Sequence, residues 1–205
     1  MSRKYSRKNS YQRPASTKQP RKIICIRTEG KTEYQYIDAL IKEQGIKATI
    51  DCKQAKGSDP VTVVRALVQK KKENRKDKAA AKIDSFWAVV DTEIARENLS
   101  EAITLANKNK INMAISHPSF EYWLLLHFER SAKVYSNAKG LEQDLKHVFP
   151  SYEKALSNAG EVVELYETAL KNIEVLRKRH SEENPDLART NFDELVREIV
   201  NNGSS

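Results

Sequence analysis

Lys22-Ile-Ile-Cys-Ile-Arg-Thr-Glu-Gly-Lys-Thr-Glu33 opens with an apolar, β-branched run and passes through an acid and a glycine into a base and a second acid. Such a run reads as a strand buried on both faces, the pattern of a parallel sheet. Ser85-Phe-Trp-Ala-Val-Val-Asp-Thr-Glu93 repeats the plan: an apolar run, then Asp91, then Glu93 two residues on. Glu29 and Asp91 therefore stand where strands end. In an open parallel sheet, the crevice outside the carboxyl ends of the strands is where ligands bind.

Outward from these two strands the chain alternates. Lys31 to Gln44 carries Tyr34, Ile37, Leu40 and Ile41 at helical spacing, and Gly45 ends it. Lys47 to Lys53 reads as a second strand. Asp59 caps a helix that Pro60 opens and Val61, Val64, Leu67 and Val68 continue. That helix ends in Lys70-Lys-Lys-Glu-Asn-Arg-Lys76, a cluster suited to a helix C-terminus and also to a nucleic-acid contact. A helix over about Ser100 to Asn109 and a strand Ile111 to Ile115 complete a βαβαβαβ order, which predicts four parallel strands with helices on the faces. Past residue 116 the pattern turns helical: Pro118 to Phe128, Lys139 to Val148, Glu161 to His180 and Asn191 to Val200.

The 205 residues suffice for one core with a helical appendage. No apolar run approaches a membrane span, and no apolar leader core is evident, so a cytoplasmic protein is expected. Cys25 and Cys52 fall inside expected strands and read as buried thiols. Of the 36 bases, eight lie in residues 1–22, which hold no acid; the others equal the 28 acids in number, so the net charge of +8 belongs to the N-terminal segment. Residues 1–20, rich in Ser, Tyr, Gln and Pro, read as a disordered basic tail. Such a tail suits a nucleic-acid backbone and equally a solubilising leader.

Three segments carry chemistry. In Glu29-Gly-Lys-Thr-Glu33 the glycine allows a sharp turn, and Lys31 stands at a helix start that itself favours anions. The GxxxxGK[ST] spacing of a P-loop is absent. Glu33 either faces the same site or serves as a first-turn acid stabilised by the helix dipole. In Asp91-Thr-Glu93 alternate residues of an extended segment point the same way, so both carboxylates can reach one site. Carboxylates from two strand ends, with a third two residues on, can surround a hard cation such as Mg²⁺ or Mn²⁺ and leave positions for phosphate oxygens. In Ser116-His-Pro-Ser-Phe-Glu-Tyr-Trp123, His117 follows a strand end and is a candidate for proton transfer. Glu121 is either a further metal ligand or a first-turn acid, and Trp123, Phe128, His127 and His147 read as structural. No nucleophile elbow supports a Ser-His-Asp triad.

Taken together, Glu29-Gly-Lys-Thr-Glu33, Gly57-Ser-Asp-Pro60, Val89-Val-Asp-Thr-Glu93, Ser116 to Phe128, Asn184-Pro185 and Thr190-Asn191 resemble the RloB-like family. RloB-like proteins are associated with restriction loci and with phage resistance by abortive infection, and their core resembles the Toprim fold. The resemblance implies a Toprim-like four-stranded parallel sheet over residues 21–128 and a helical extension packed on it over 129–205. It implies Glu29 as general acid/base or metal ligand, and Asp91 and Glu93 as the Mg²⁺-binding pair. Glu93 stands where the Toprim pattern has Asp, which keeps the charge and adds one methylene.

The expectation is an Mg²⁺- or Mn²⁺-dependent nuclease acting on RNA, such as tRNA, or on DNA in anti-phage defence. In it Glu29, Lys31 and His117 act at the phosphate, Glu29, Asp91 and Glu93 hold metal, and Glu33 and Glu121 are further candidates. A defence-system partner protein is an additional expected partner. The alternatives are a non-catalytic nucleic-acid-binding or sensor subunit, and a phosphatase-like nucleotide enzyme using the same acids.

Overall fold

The computed structural model describes residues 22–57, 59–92, 96–179 and 187–203. The basic tail, Glu93 and the Asn184-Pro185 pair lie outside the described residues. The elements run β1 (Ile23–Thr28), α1 (Lys31–Glu43), β2 (Thr49–Gln54), α2 (Pro60–Lys76), β3 (Ser85–Asp91), α3 (Arg96–Asn109), β4 (Asn112–His117), α4 (Glu121–Leu125), α5 (Ala138–Val148), α6 (Ala159–Val163), α7 (Tyr166–Arg179), β5 (Arg189–Thr190) and α8 (Phe192–Gly203).

The chain is an α/β protein. Its sheet has the order β2-β1-β3-β4-β5, with the first four strands parallel and β5 antiparallel to β4. The expected four-stranded sheet thus gains a fifth member. Asn191 explains it: its side-chain amide accepts from Ile115 N–H at 2.6 Å and donates to the Met113 carbonyl at 2.9 Å. An asparagine side chain replaces the missing backbone partner, so two paired residues suffice to make a strand. From β1 the chain moves outward to β2, then returns to β3 on the other side and moves on to β4. The direction of strand addition therefore reverses between β1 and β3, which makes that gap the switch point of the sheet.

The strands alternate their side chains between two cores. Ile24, Ile26, Trp87, Val89 and Ala114 face a cluster shared with α1 and with the helices after residue 120. Cys25, Phe86, Ala88 and Val90 face a second cluster with α2 and α3. The helices of the C-terminal part therefore share one apolar core with the sheet. Arg177 of α7 locks them to α8 through paired bonds of 2.8 and 2.6 Å to the carboxylate of Asp193, which is buried. Cys25 is buried, Cys52 half-buried, and neither is in a disulfide. Among the described residues no helix is long and apolar enough to cross a membrane.

Two expected helices differ. Instead of Pro118 to Phe128, α4 covers only Glu121–Leu125. Around it Tyr122 N–H bonds to Ser119, Trp123 to Phe120, His127 to Leu124 and Phe128 to Leu125, the tighter three-residue closures of 3₁₀ turns. Tyr122 to Leu126 are all buried, so no solvent face exists to give the segment an amphipathic period. The single helix expected over Glu161 to His180 divides into α6 and α7 at Glu164-Leu165, where Leu165 N–H turns back to Val162. The break lets Val162 and Val163 fill the core alongside Ala169, Ile173 and Leu176.

Within the basic end of α2, Lys71 has a structural role. Lys71 donates to the carbonyls of Asn109 and Lys110 at 2.8 and 3.0 Å, closing the end of α3, and its ammonium lies 5.1 Å from the Phe86 ring centroid. His127 is also structural: Tyr36 Oη meets its Nε2 at 2.9 Å, its Nδ1 meets the Trp123 carbonyl at 2.9 Å, and burial lowers its pKa to about 4.

Candidate active site

Glu29 leaves β1 already clamped to β3, because its N–H donates to the Val89 carbonyl at 3.0 Å. Its Oε2 accepts the N–H of Asp91 at 3.4 Å, a long bond that nonetheless sets the two acids side by side at the switch point. Glu29 is buried, and burial pushes its carboxyl up to about 8, with Asp91, Glu33 and Asp59 adding repulsion. Asp59 was expected only as the cap of α2. It does cap, accepting from Val61 and Thr62 N–H at 3.1 Å each, and it also lies close enough to Glu29 to disfavour its charge.

Glu33 is a buried acid in the first turn of α1. The N–H groups of Gly30 and of Glu33 itself favour its charge, which is the backward reach of a capping-box acid. It also feels Asp91 and Glu121, and burial with these neighbours raises it to about 7. The glycine has a packing reason: a side-chain carbon at Gly30 would run into the Glu33 carboxylate. Lys31, the first residue of α1, is exposed.

Asp91 ends β3 opposite Ser116 of β4. The next residue, Thr92, donates its N–H to the Ser116 carbonyl at 3.1 Å and places its hydroxyl 2.6 Å from His117 Nδ1. His117 is buried at the end of β4, so one threonine links it to Asp91. Glu121 opens α4, and its Oε1 accepts the phenol hydrogen of Tyr152 at 2.7 Å.

The structure thus brings Glu29 and Asp91 into direct contact, with Glu33, Asp59 and Glu121 acting on them or on one another electrostatically. Among the described residues, no three or more His, Cys, Asp or Glu side chains are grouped to hold a metal ion. The donors at the centre, two carboxylates, are the hard oxygen type that Mg²⁺ and Mn²⁺ take. Burial first, and then repulsion from Asp91, raise Glu29, and a cation between the two carboxylates would relieve that repulsion. Sequence reasoning missed Thr92 and Tyr152. Thr92 could have been found as the residue between two candidate acids. Tyr152 lies in an irregular segment with no period to read.

The family model for RloB-like protein matches residues 24–199, and the chain belongs to that family. No curated protein and no solved structure matches it.

Proposed function

We propose that this RloB-like protein is a metal-dependent nuclease that hydrolyses phosphodiester bonds of RNA or DNA, with a Toprim-like arrangement of its parallel strands and a role in anti-phage defence by abortive infection. The observation that carries the reading is the contact between Glu29 and Asp91 at the switch point of the sheet. Glu29 and Asp91, with Glu93 two residues on, would hold Mg²⁺ or Mn²⁺. A divalent cation there supplies charge neutralisation at a phosphate oxygen.

The chain's own groups do the rest. Glu29, pushed up to about 8, sits within the range where a carboxyl can give or take a proton near neutral pH. Thr92 fixes the ring of His117 through Nδ1 and orients it for proton transfer beside the acids. Lys31, exposed at the start of α1, supplies a cation for a phosphate.

A non-catalytic nucleic-acid-binding or sensor subunit is the second reading. The turn of Glu33 back onto its own helix favours it, since that acid is already used in capping.

The deciding experiment incubates the purified protein with labelled tRNA, single-stranded DNA and duplex DNA, each with Mg²⁺, with Mn²⁺ and with EDTA. Metal-dependent cleavage is expected, and Glu29→Gln should lower it by about 10²–10⁴-fold while leaving binding intact. Binding without cleavage under every condition would select the second reading.

A further inference from the structure

Beyond the acids, one surface combines shape with unbalanced charge. A groove of about 480 Å³ is lined by Ala138, Lys139, Glu142, Gln143, Lys146 and Lys154. Its three lysines are exposed. Glu142 is the single acid in the lining, and it is shared: Lys146 lies 2.8 Å and Lys154 3.7 Å from its carboxylate oxygens. The other acid of α5, Asp144, is taken by Lys133 at 2.7 Å and Tyr135 at 2.8 Å. The first turn of α5, where Lys139 stands, carries no acid. The groove therefore keeps an excess of positive charge, and Glu142 holds two of the ammonium groups in place along it.

The groove is joined to the acids through one short segment. Tyr152, two residues before Lys154, donates to Glu121 at 2.7 Å. Ala155, one residue after Lys154, donates its N–H to Thr32 Oγ1 at 3.4 Å. Thr32 lies between Lys31 and Glu33 in the first turn of α1. Lys154 is thus pinned on both sides to residues that border the acid cluster.

We infer that the Lys139–Lys146–Lys154 groove binds the sugar–phosphate backbone of the polynucleotide next to the phosphate that the acids receive, so that the C-terminal helical part supplies the substrate track. The inference rests on the nuclease reading for the location of the scissile phosphate. Ammonium groups on flexible stems act as point charges, so the groove reads charge and not base sequence.

The test measures binding of the full chain to labelled single-stranded RNA and DNA oligonucleotides by fluorescence anisotropy, in EDTA, across a salt series. Lys139→Gln/Lys154→Gln is compared with Lys171→Gln/Lys178→Gln, an equal charge loss on α7. Both changes in each variant fall on exposed side chains, and circular dichroism checks that the fold is kept. The groove variant should bind several-fold more weakly, and its salt slope should flatten by about 0.7 per lost contact on a single strand. The α7 variant should match the wild type. Equal affinity and slope for wild type and groove variant would overturn the inference. If Glu29→Gln still abolishes cleavage in that case, the nuclease reading stands without the groove. A groove variant that binds weakly in a protein that never cleaves leaves the groove standing and removes the nuclease. A wild type that binds neither oligonucleotide also overturns the inference, and the cleavage assay then decides the nuclease reading separately.

Discussion

Tyr152 donates its phenol hydrogen to Glu121 Oε1 at 2.7 Å, across 31 residues of chain. The tyrosine comes from the irregular stretch between α5 and α6, and the glutamate opens α4 beside the sheet. A residue of the C-terminal helical part therefore holds a carboxylate that acts on Glu33, and through it on the strand-end acids. Burial and Glu121 together keep the phenol protonated, well above its ordinary range, so the hydroxyl remains a donor.

Tyr152→Phe tests this bond. The ring keeps its place 6.4 Å from the Phe149 centroid, so packing is conserved and the hydroxyl alone is lost. A hydrogen bond to a charged group is worth about 1.5–3 kcal/mol. Urea unfolding should show a loss of that order. In a protein of this size each kcal/mol lowers Tm by about 2–4 °C. An unmoved midpoint would mean that Glu121 finds an equal partner without Tyr152.

Gly30 and Glu33 are coupled by space. The backbone at Gly30 is extended (φ −105°, ψ 173°), a conformation alanine adopts without strain. The obstacle is the Glu33 carboxylate, which occupies the position of the missing side-chain carbon. Gly30→Ala should therefore displace that carboxylate from the start of α1 and destabilise by about 0.5–2 kcal/mol, the scale of a lost cap. In a Glu33→Ala background the same change should cost nearly nothing. Equal costs in the two backgrounds, read from a double-mutant cycle, would show that the residues are independent.

The acid pair predicts a metal response. A ligand that binds only the folded state raises its stability. Mg²⁺ or Mn²⁺ should raise Tm in the wild type, and Asp91→Asn should erase the rise, because an amide neither repels Glu29 nor holds a hard cation well. Scanning calorimetry with and without the ion reads it directly. A full metal response in Asp91→Asn would place any cation elsewhere.

How much of this was legible follows from locality. β1 and β3 could be read because residues 23–26 and 86–90 form continuously apolar runs, the mark of strands buried on both faces. Glu29 and Asp91 were legible because each ends such a run. β5 was not: its two residues are too few to show a period, and their pairing with β4 is extended by an Asn191 side chain that reaches Met113 and Ile115 some 78 and 76 positions away. Nothing near Asn191 encodes that contact. The helix expected over 118–128 failed for the opposite reason, since a segment buried on every side has no period. Tyr152 was illegible because its partner is set by how α5 and α6 return to the sheet, which only the assembled core determines.

The pH dependence of stability provides the last test. Glu29 rises from an ordinary 4.5 to about 8, and Glu33 from 4.5 to about 7. The folded protein therefore keeps protons that the unfolded chain releases. Such groups contribute stability that is fully present below 4.5 and is lost as pH rises through about 7 for Glu33 and about 8 for Glu29. Glu29→Gln is neutral at every pH and removes the part of that dependence due to Glu29, leaving that of Glu33. In metal-free buffer it should be more stable than the wild type at about pH 9, with the difference shrinking toward about pH 4. A divalent cation competes with the same protons, so the metal-induced rise in Tm should grow over the same interval and be much smaller in Glu29→Gln. Urea midpoints measured across this range decide the matter. If the wild type and Glu29→Gln run parallel from acid to base, Glu29 is not held protonated by its burial and its acidic neighbours, and the burial of carboxylates together at the switch point is not what tunes this site.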